Sequence, residues 1–228
     1  MTERTLDRVP SKPDPVRRSS FSVASLIEGL TPRSYTWRCD AWLDQRAEGA
    51  CVPHGWTHEA LARPVVVDFP RPIPDDTLPL DPQSFAFGFY DWCRRNDEWQ
   101  GENYDGTSVA AGARGMKLLG LVPEYRWIYR ADELAVTVSR LGPVVLGADW
   151  WTGFFEPDSD GVLNMTGHVE GGHCVLVNGY NVKRRAFKIH NSWSRDWGLD
   201  GEAWLPDEAM VELMRTGAEG CQPVRRSK

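Results

Sequence analysis

Two short segments near the C-terminus restrict the possible folds of this chain more than any other feature. Residues 171–180 read Gly-Gly-His-Cys-Val-Leu-Val-Asn-Gly-Tyr, and residues 186–193 read Ala-Phe-Lys-Ile-His-Asn-Ser-Trp. Both are rich in strand-forming residues, and the polar connection between them is short, so the sequence predicts two paired antiparallel strands. His173 then lies where the first strand begins and Asn191 where the second ends. The two side chains are therefore expected at one edge of a sheet.

A histidine that is held by a side-chain amide is a general base with a fixed tautomer. A single histidine at a strand edge can also be purely structural, so the chemistry depends on a nucleophile. Cys51 is the candidate, because Gly49 and Ala50 allow a tight approach and Pro53 suits the first turn of a helix. The sequence predicts a helix that starts at Cys51 and ends before Pro64. A thiol at a helix N-terminus is expected to have a lowered pKa; the alternative is a buried apolar cysteine.

Other residues extend the pattern. Residues 191–193 (Asn-Ser-Trp) are followed by Trp-Gly at 197–198, and a Leu-Gly-Pro-Val-Val-Leu run at 141–146 precedes the histidine. These residues closely resemble the C-terminal signature of the papain-like cysteine peptidases (the C1 family). Gln45 lies six residues before Cys51, as a glutamine precedes the nucleophile in that family. The familiar Cys-Gly-Ser-Cys-Trp sequence is absent, so the chain most resembles the short bacterial and phage forms without disulfides or a long propeptide.

The resemblance implies an α+β fold of two lobes, one helical and one built on an antiparallel sheet, with the active site in the cleft between them. We expect an N-terminal arm over residues 1–34 that is partly disordered, followed by a catalytic domain over residues 35–228. The helical lobe would cover residues 35–130 and the β lobe residues 131–228. The arm could be a short inhibitory pro-segment in the cleft. A docked arm is favoured, because pro-segments in the family are far longer.

The resemblance also implies the role of each site residue. Cys51 would be the nucleophile, His173 its acid–base partner, Asn191 the residue that orients His173, and Gln45 an oxyanion donor together with the backbone N–H of Cys51. Trp193 would shield the His–Asn pair from solvent. The residues expected to bind substrate or line its cleft are Gly106, Gly172, Trp193 and Trp150.

These roles predict a cysteine peptidase that hydrolyses peptide bonds of a peptide or protein substrate. Two alternatives remain open at this point. One is an amidase or transferase that uses the same chemistry on another amide, and the other is a papain-fold binding or assembly module whose site is unused. The quartet of Gln45, Cys51, His173 and Asn191 is intact, which favours an enzyme over an unused site. Substrate preference and oligomeric state cannot be read from the sequence.

Composition argues against several other classes. The formal net charge is −6, which is unfavourable for a nucleic-acid partner. No apolar run approaches the roughly 18 residues of a membrane span. The sequence suggests no cofactor and no metal; His54 and His58 share one helix face, but helix packing explains them better than a metal. The odd number of scattered cysteines favours a reducing, cytoplasmic setting over a disulfide framework; they are Cys39, Cys51, Cys93, Cys174 and Cys221.

Periodicity and capping residues predict the remaining elements. An irregular, Pro- and Asp-rich stretch is expected at 64–83. An aromatic-rich loop at 149–155 is expected either to border the cleft or to be buried as a wedge between the two lobes. Helices are predicted at 84–95, 109–119, 131–140 and 206–215, and a strand at 141–149. Thr107 or Ser108 is the expected N-cap of the second of these helices.

Overall fold

Helices and one antiparallel sheet make up the chain in the computed structural model, which describes residues 4–14, 22–67, 81–99 and 105–224. The helices are α1 (Ala24–Ile27), α2 (Cys51–Leu61), α3 (Pro82–Asn96), α4 (Val109–Leu118), α5 (Ala131–Arg140) and α6 (Asp207–Thr216). The strands are β1 (Tyr35–Thr36), β2 (Glu124–Ile128), β3 (Val144–Trp151), β4 (Val169–Asn181), β5 (Ala186–His190), β6 (Glu202–Pro206) and β7 (Glu219–Val224). This confirms the predicted α+β class.

The seven strands form one sheet in the order β2-β7-β3-β4-β5-β6, and β1 pairs with β4. Strands β4 and β5 are the antiparallel pair predicted from the two C-terminal segments, and Leu176 lies opposite His190 in their register. Strands β1 and β2 come from the stretch assigned to the helical lobe, yet both join the sheet. Neither strand was predicted, because each depends on pairing with residues more than 90 positions away in the chain.

Helix α2 lies between the helices and the sheet and carries Cys51 at its first position. Residues 51–60 of this helix are all buried. A helix that is buried on every side has to satisfy its polar side chains internally. Thr57 does so by donating to the carbonyl of Pro53 at 2.7 Å, and His58 Nε2 accepts from the backbone N–H of Leu43 at 3.2 Å. The helix ends at Leu61, three residues before Pro64, as predicted.

The predicted helix starts are also found, with small shifts at the ends. Asp81 caps α3 by accepting from the N–H groups of Gln83 and Ser84, and Ser108 caps α4 by accepting from Ala111. The aromatic segment at 149–155 is not simply a loop. Trp150 and Trp151 are the last residues of β3, and a 3-10 turn (Thr152–Phe154) follows. Most of the predicted irregular stretch at 64–83 lies outside the described residues.

Apolar side chains form two clusters, one on each side of the sheet. One cluster joins the sheet to α5 and α6. The other joins α2, α3 and α4 to the opposite face. All five cysteines are buried. Among the residues that the structure describes, no helix is long and apolar enough to cross a membrane.

Candidate active site

His173 and Asn191 meet at the edge of the sheet, as the sequence predicts. His173 lies in β4 and Asn191 follows β5, and both are buried. The ring Nε2 of His173 lies 2.8 Å from Oδ1 of Asn191. The same Oδ1 accepts from the backbone N–H of Ser192 at 2.8 Å. Since an amide oxygen only accepts, Nε2 carries a hydrogen, and Nδ1 is the ring nitrogen left for a thiol.

Aromatic rings enclose this histidine. The ring centroid of Trp193 lies 4.8 Å from that of His173, and the Trp150 centroid lies 4.6 Å away in an edge-to-face contact. Trp150 also packs on Trp193 and Phe154 and is only 3% exposed. This corrects the prediction that Trp150 borders the cleft and contacts substrate, because so deeply buried a side chain presents no surface to a ligand. Its place is behind the imidazole.

Cys51 lies at the first position of α2, and its side chain is fully buried. Its sulfur accepts a hydrogen bond from the backbone N–H of Cys174, the residue after His173. Nδ1 of His173 makes no hydrogen bond to any described residue. The helix start therefore brings the thiol to the backbone of the residue that follows His173, and no hydrogen bond joins the sulfur to the imidazole in this conformation.

The protonation state of the pair differs from the sequence prediction. Burial raises the pKa of Cys51 to about 12, and it lowers the pKa of His173 to about 4 despite the opposing hydrogen bond from Asn191. The expected lowering of the thiol pKa is thus wrong for this conformation. Desolvation outweighs the hydrogen bonds and the charge of Arg8 that favour the thiolate. Cys51 and His173 are both neutral here.

Gln45 is buried at the same edge of the cleft. Its backbone N–H donates to the carbonyl of Ser192 at 2.9 Å, and its Oε1 accepts from the hydroxyl of Ser192 at 2.8 Å. Its Nε2 then donates to the carbonyls of Glu48 at 2.9 Å and Thr5 at 3.1 Å. Ser192 therefore fixes the amide so that its N–H₂ group faces the cleft.

The chain's own N-terminus occupies the cleft. We call residues 4–9 the cleft segment. The N–H of Arg8 donates to the carbonyl of Gly172 at 2.9 Å, and the N–H of Val9 donates to the carbonyl of Thr107 at 3.1 Å. Asp7 forms a parallel bridge with Gly172, and a Cβ at Gly106 would overlap the carbonyl oxygen of Asp7. Gly106 and Gly172, predicted to bind substrate, thus both line the groove that holds this segment.

Arg4 anchors the other end of the cleft segment. Its guanidinium pairs with the carboxylate of Asp44, lies 5.8 Å from the ring centroid of Trp193 and donates to the Trp193 carbonyl at 3.3 Å. The hydroxyl of Thr5 donates to the carbonyl of Ala47 at 2.8 Å. The sequence favoured a docked arm over a segment in the cleft. Residues 4–9 of this arm are docked, and the place where they dock is the cleft.

A closed pocket in the cleft takes the side chain of Arg8. Arg8 and Glu219 are each only 6% exposed, and Nη2 of Arg8 lies 3.7 Å from Oε1 of Glu219. That oxygen also accepts from the N–H and hydroxyl of Ser11 at 3.0 and 2.8 Å. Gly147 and Val109 form the wall beside the guanidinium. The sequence did not reveal Glu219 as a site residue, because a single acid in a strand carries no local signal.

The described residues contain no group of three or more His, Cys, Asp or Glu side chains that could hold a metal ion. His54 and His58, spaced like a metal pair, each make protein contacts. His54 lies against Ala50 and Gln83, and His58 accepts from Leu43. The arrangement at Cys51 is suited to acyl transfer by a thiol, with no metal ligand set beside it among the described residues.

Comparison with known proteins finds similarity to cysteine proteases in both sequence and fold. A sequence model of the papain family of cysteine proteases matches residues 107–212. That range includes His173, Asn191 and Trp193, whereas Gln45 and Cys51 lie outside it. The crystal structure of xylellain, a cysteine protease from Xylella fastidiosa, superimposes with a TM-score of 0.68 at 19% identity, covering 99% of each chain.

Two curated relatives match shorter stretches. An uncharacterized peptidase C1-like protein of Acanthamoeba polyphaga mimivirus is 35% identical over 69 residues, which cover 28% of this chain and 22% of that protein. A cathepsin B-like cysteine proteinase of Schistosoma japonicum is 36% identical over 66 residues, covering 28% and 19%. The aligned part thus spans about a fifth of each relative's length.

The fold comparison and the sequence comparison point to the same family. Nearly the whole chain adopts the fold of the papain-like cysteine peptidases, and residues 107–212 carry the sequence pattern of that family. The predicted resemblance to the papain-like cysteine peptidases is therefore confirmed.

Proposed function

We propose that this chain is a cysteine peptidase that cleaves peptide bonds through Cys51, His173, Asn191 and Gln45. The observation that carries the proposal is the 2.8 Å contact between His173 Nε2 and Asn191 Oδ1. It leaves Nδ1 as the acid–base atom, one residue from the backbone group that contacts the Cys51 sulfur. Gln45 supplies a fixed N–H₂ donor at the same edge.

The proposed reaction has two steps. His173 Nδ1 first takes the proton of the Cys51 thiol. The resulting thiolate attacks the substrate carbonyl, and Gln45 Nε2 with the Cys51 N–H donates to the developing oxyanion. His173 gives its Nδ1 proton to the leaving amine, so that an acyl-thioester remains on Cys51. His173 then takes a proton from water, which attacks the thioester, and the thiol is restored. Asn191 keeps Nε2 protonated and the ring in place throughout.

The cleft segment holds this site closed. The Thr5 carbonyl accepts the hydrogen bond that Gln45 Nε2 would give to the oxyanion, and we attribute part of the burial that keeps the thiol neutral to this segment. A substrate has to displace residues 4–9 before it can reach Cys51. Displacement also readmits water, which removes the desolvation that raises the thiol pKa.

The direction of the cleft segment explains why it is not itself a substrate. In a substrate, the residues on the C-terminal side of the cleaved bond leave as an amine. These residues must lie beside His173 and Trp193. In the cleft segment the residue on that side is Arg4, which precedes Thr5, while the chain after Thr5 runs toward Gly172 and Thr107. The segment therefore runs opposite to a cleavable substrate.

The buried pocket around Arg8 suggests the class of side chain that a substrate presents. Glu219 is a buried carboxylate at the end of this pocket, and a bound basic side chain would compensate its charge. We therefore propose that peptides with arginine or lysine at this position are the preferred substrates.

One observation favours a second candidate, a papain-fold binding module with an unused site. Cys51 is a neutral, fully buried thiol without a hydrogen bond to His173, as in a site without turnover. Removal of the cleft segment distinguishes the two candidates, because an enzyme then gains a reactive thiolate, whereas an unused site does not.

The test uses the full chain with the cleft segment weakened by Arg4→Ala and Arg8→Ala. This double variant is incubated with fluorogenic peptide amides that carry a basic side chain. We expect peptide hydrolysis and an acyl-enzyme adduct on Cys51 by mass spectrometry, and neither in the same chain with Cys51→Ala. If the double variant forms no adduct with activated esters or peptide amides, the peptidase proposal fails and the binding module is favoured.

A further inference from the structure

Gln83, the second residue of α3, clamps the backbone of Asp44. Its Oε1 accepts from the N–H of Asp44 at 2.9 Å, and its Nε2 donates to the carbonyl of Asp44, also at 2.9 Å. Two such bonds to one residue match only one orientation of the side-chain amide, because donor and acceptor cannot be exchanged. Asp44 directly precedes Gln45, the proposed oxyanion donor.

The same Nε2 of Gln83 lies 2.9 Å from Nε2 of His54. Since the amide nitrogen only donates, this ring nitrogen of His54 must accept. The other ring nitrogen, Nδ1, lies 2.7 Å from the carbonyl of Ala50, which only accepts, so Nδ1 carries the hydrogen. His54 is therefore neutral in a single tautomer, and burial, which lowers its pKa to about 4, agrees with that state.

We propose that Gln83 and His54 form a brace that positions Gln45 relative to Cys51. One end of the brace holds Asp44, the residue before Gln45, and the other end holds Ala50, the residue before Cys51. This inference rests on the proposed function, since it assigns a positioning role for the oxyanion donor of that reaction. Neither Gln83 nor His54 contacts substrate.

Residues 45–49 form the loop between the two residues that the brace holds, Asp44 and Ala50, and the conformation of this loop makes such a brace necessary. Arg46 adopts a left-handed backbone with φ of 58°, and Gly49 lies against the carbonyl of Asp105, where a Cβ would overlap it. Ser192 holds Gln45 to the sheet side, whereas Cys51 belongs to α2. An oxyanion donor has to be placed within a fraction of an ångström of the developing charge, so the spacing between these two elements matters for rate.

The kinetic test uses the full chain with Arg4→Ala and Arg8→Ala as parent, and adds Gln83→Ala. We expect kcat to fall about tenfold with KM within about twofold, because the oxyanion interaction is made mainly in the transition state. Alkylation of Cys51 by iodoacetamide, which needs no oxyanion donor, should stay within about twofold of the parent. Ser84→Ala is the matched control: Ser84 is the next residue of α3, and its hydroxyl contacts Asp81.

The NMR signals of the two ring nitrogens of His54 provide a second measurement, made on the unaltered full chain. We expect the signals of a neutral imidazole with its hydrogen on Nδ1 from pH 5 to 8. Gln83→Glu places a carboxylate where the donor was, so Nε2 must gain a proton, and the imidazolium form of His54 should appear near pH 6. Ser84→Ala should leave the pattern unchanged.

Several results would overturn the brace. One is an unchanged kcat in Gln83→Ala, and another is an equal fall of turnover and alkylation together with a lower melting temperature, which marks a purely structural residue. If the parent has no turnover at all, the proposed function fails, and the brace is then judged from the side-chain amide signals of Gln45. Those signals must shift in Gln83→Ala and not in Ser84→Ala; a Gln45 signal that does not move overturns it.

Discussion

The side-chain amide of Gln45 donates a 3.1 Å hydrogen bond to the carbonyl oxygen of Thr5. A residue of the chain's own N-terminus thus takes the place that the proposed reaction reserves for the substrate carbonyl. Burial also keeps Cys51 as a neutral thiol with a pKa of about 12. We propose that the cleft segment contributes to this burial, which can be tested by substitution.

Weakening the cleft segment should therefore activate Cys51. At pH 7 a thiol with a pKa of about 12 is ionised in only about 10⁻⁵ of the molecules. We expect Arg4→Ala with Arg8→Ala to raise the rate of iodoacetamide labelling of Cys51 at least about tenfold, measured by peptide mass mapping. The control removes two exposed arginines elsewhere, by Arg38→Ala with Arg130→Ala. Equal labelling rates in wild type and the double variant would show that the cleft segment does not control the thiol.

Gln45 should matter for turnover and not for thiol reactivity. Loss of one oxyanion donor typically lowers kcat by about 10²–10³. In the chain with the weakened cleft segment, we expect Gln45→Ala to show such a loss on a peptide amide. Alkylation of Cys51 should remain within a few-fold, because thiolate formation depends on His173 and the helix start. Normal turnover of this variant would remove Gln45 from the proposed mechanism.

Much of the site could be predicted because its residues carry local signals. Proline in the first helical turn and glycine before it located the start of α2 at Cys51. The strand pair located His173 and Asn191 at one edge, and a six-residue spacing singled out Gln45. Each of these inferences uses residues close together in the chain, or a resemblance that covers them.

The errors concern burial and long-range contacts. Trp150 was expected among the residues that bind substrate, and the thiol pKa of Cys51 was expected to be low. Both expectations failed because distant parts of the chain decide which residues are covered: β3 packs Trp150 behind His173, and Cys51 is buried in the core cluster. Glu219 was missed for the same reason, since only the fold brings it to Arg8.

The pocket that holds Arg8 should select basic side chains in substrates. In the chain with the weakened cleft segment, a positional peptide library should reveal one position at which arginine and lysine are preferred. Glu219→Gln keeps the size of the side chain and removes its charge. We expect this variant to lower kcat/KM for the basic peptides about tenfold and to leave the matched leucine peptides within about twofold. An unchanged preference would place the determinant elsewhere.

A buried charge pair next to the site should make stability depend on pH in two directions. His190, which precedes Asn191, has Nδ1 3.5 Å from Oε1 of Glu202, and Lys188 pairs with the same carboxylate at 2.5 Å. Burial opposes both charges. Neighbouring polar and charged groups outweigh burial at both residues. His190, Lys188 and Asn178 lower the pKa of Glu202 to about 2, and Cys39 and Glu202 raise the pKa of His190 to about 9.

The direction of each pH effect is set by linkage between protonation and folding. The lowered pKa of Glu202 adds stability above its ordinary value of 4.5, and this is lost as the pH falls toward 2. The raised pKa of His190 adds stability below its ordinary value of 6.5, and this is lost as the pH rises through 9. The contribution of this pair to the melting temperature should therefore be largest between about pH 4.5 and 6.5.

Removing the charge of Glu202 tests this pair directly. At pH 6, Glu202→Gln should lower the melting temperature by about 4–8 °C, which corresponds to about 2 kcal/mol in a chain of this size. The difference from wild type should shrink toward pH 2 and above pH 9. Glu212→Gln, which breaks an exposed pair with Arg215, should change the melting temperature by about 1 °C or less. A Glu202→Gln difference that is constant from pH 3 to 10 would show that the His190–Glu202 pair is not charged in the folded chain.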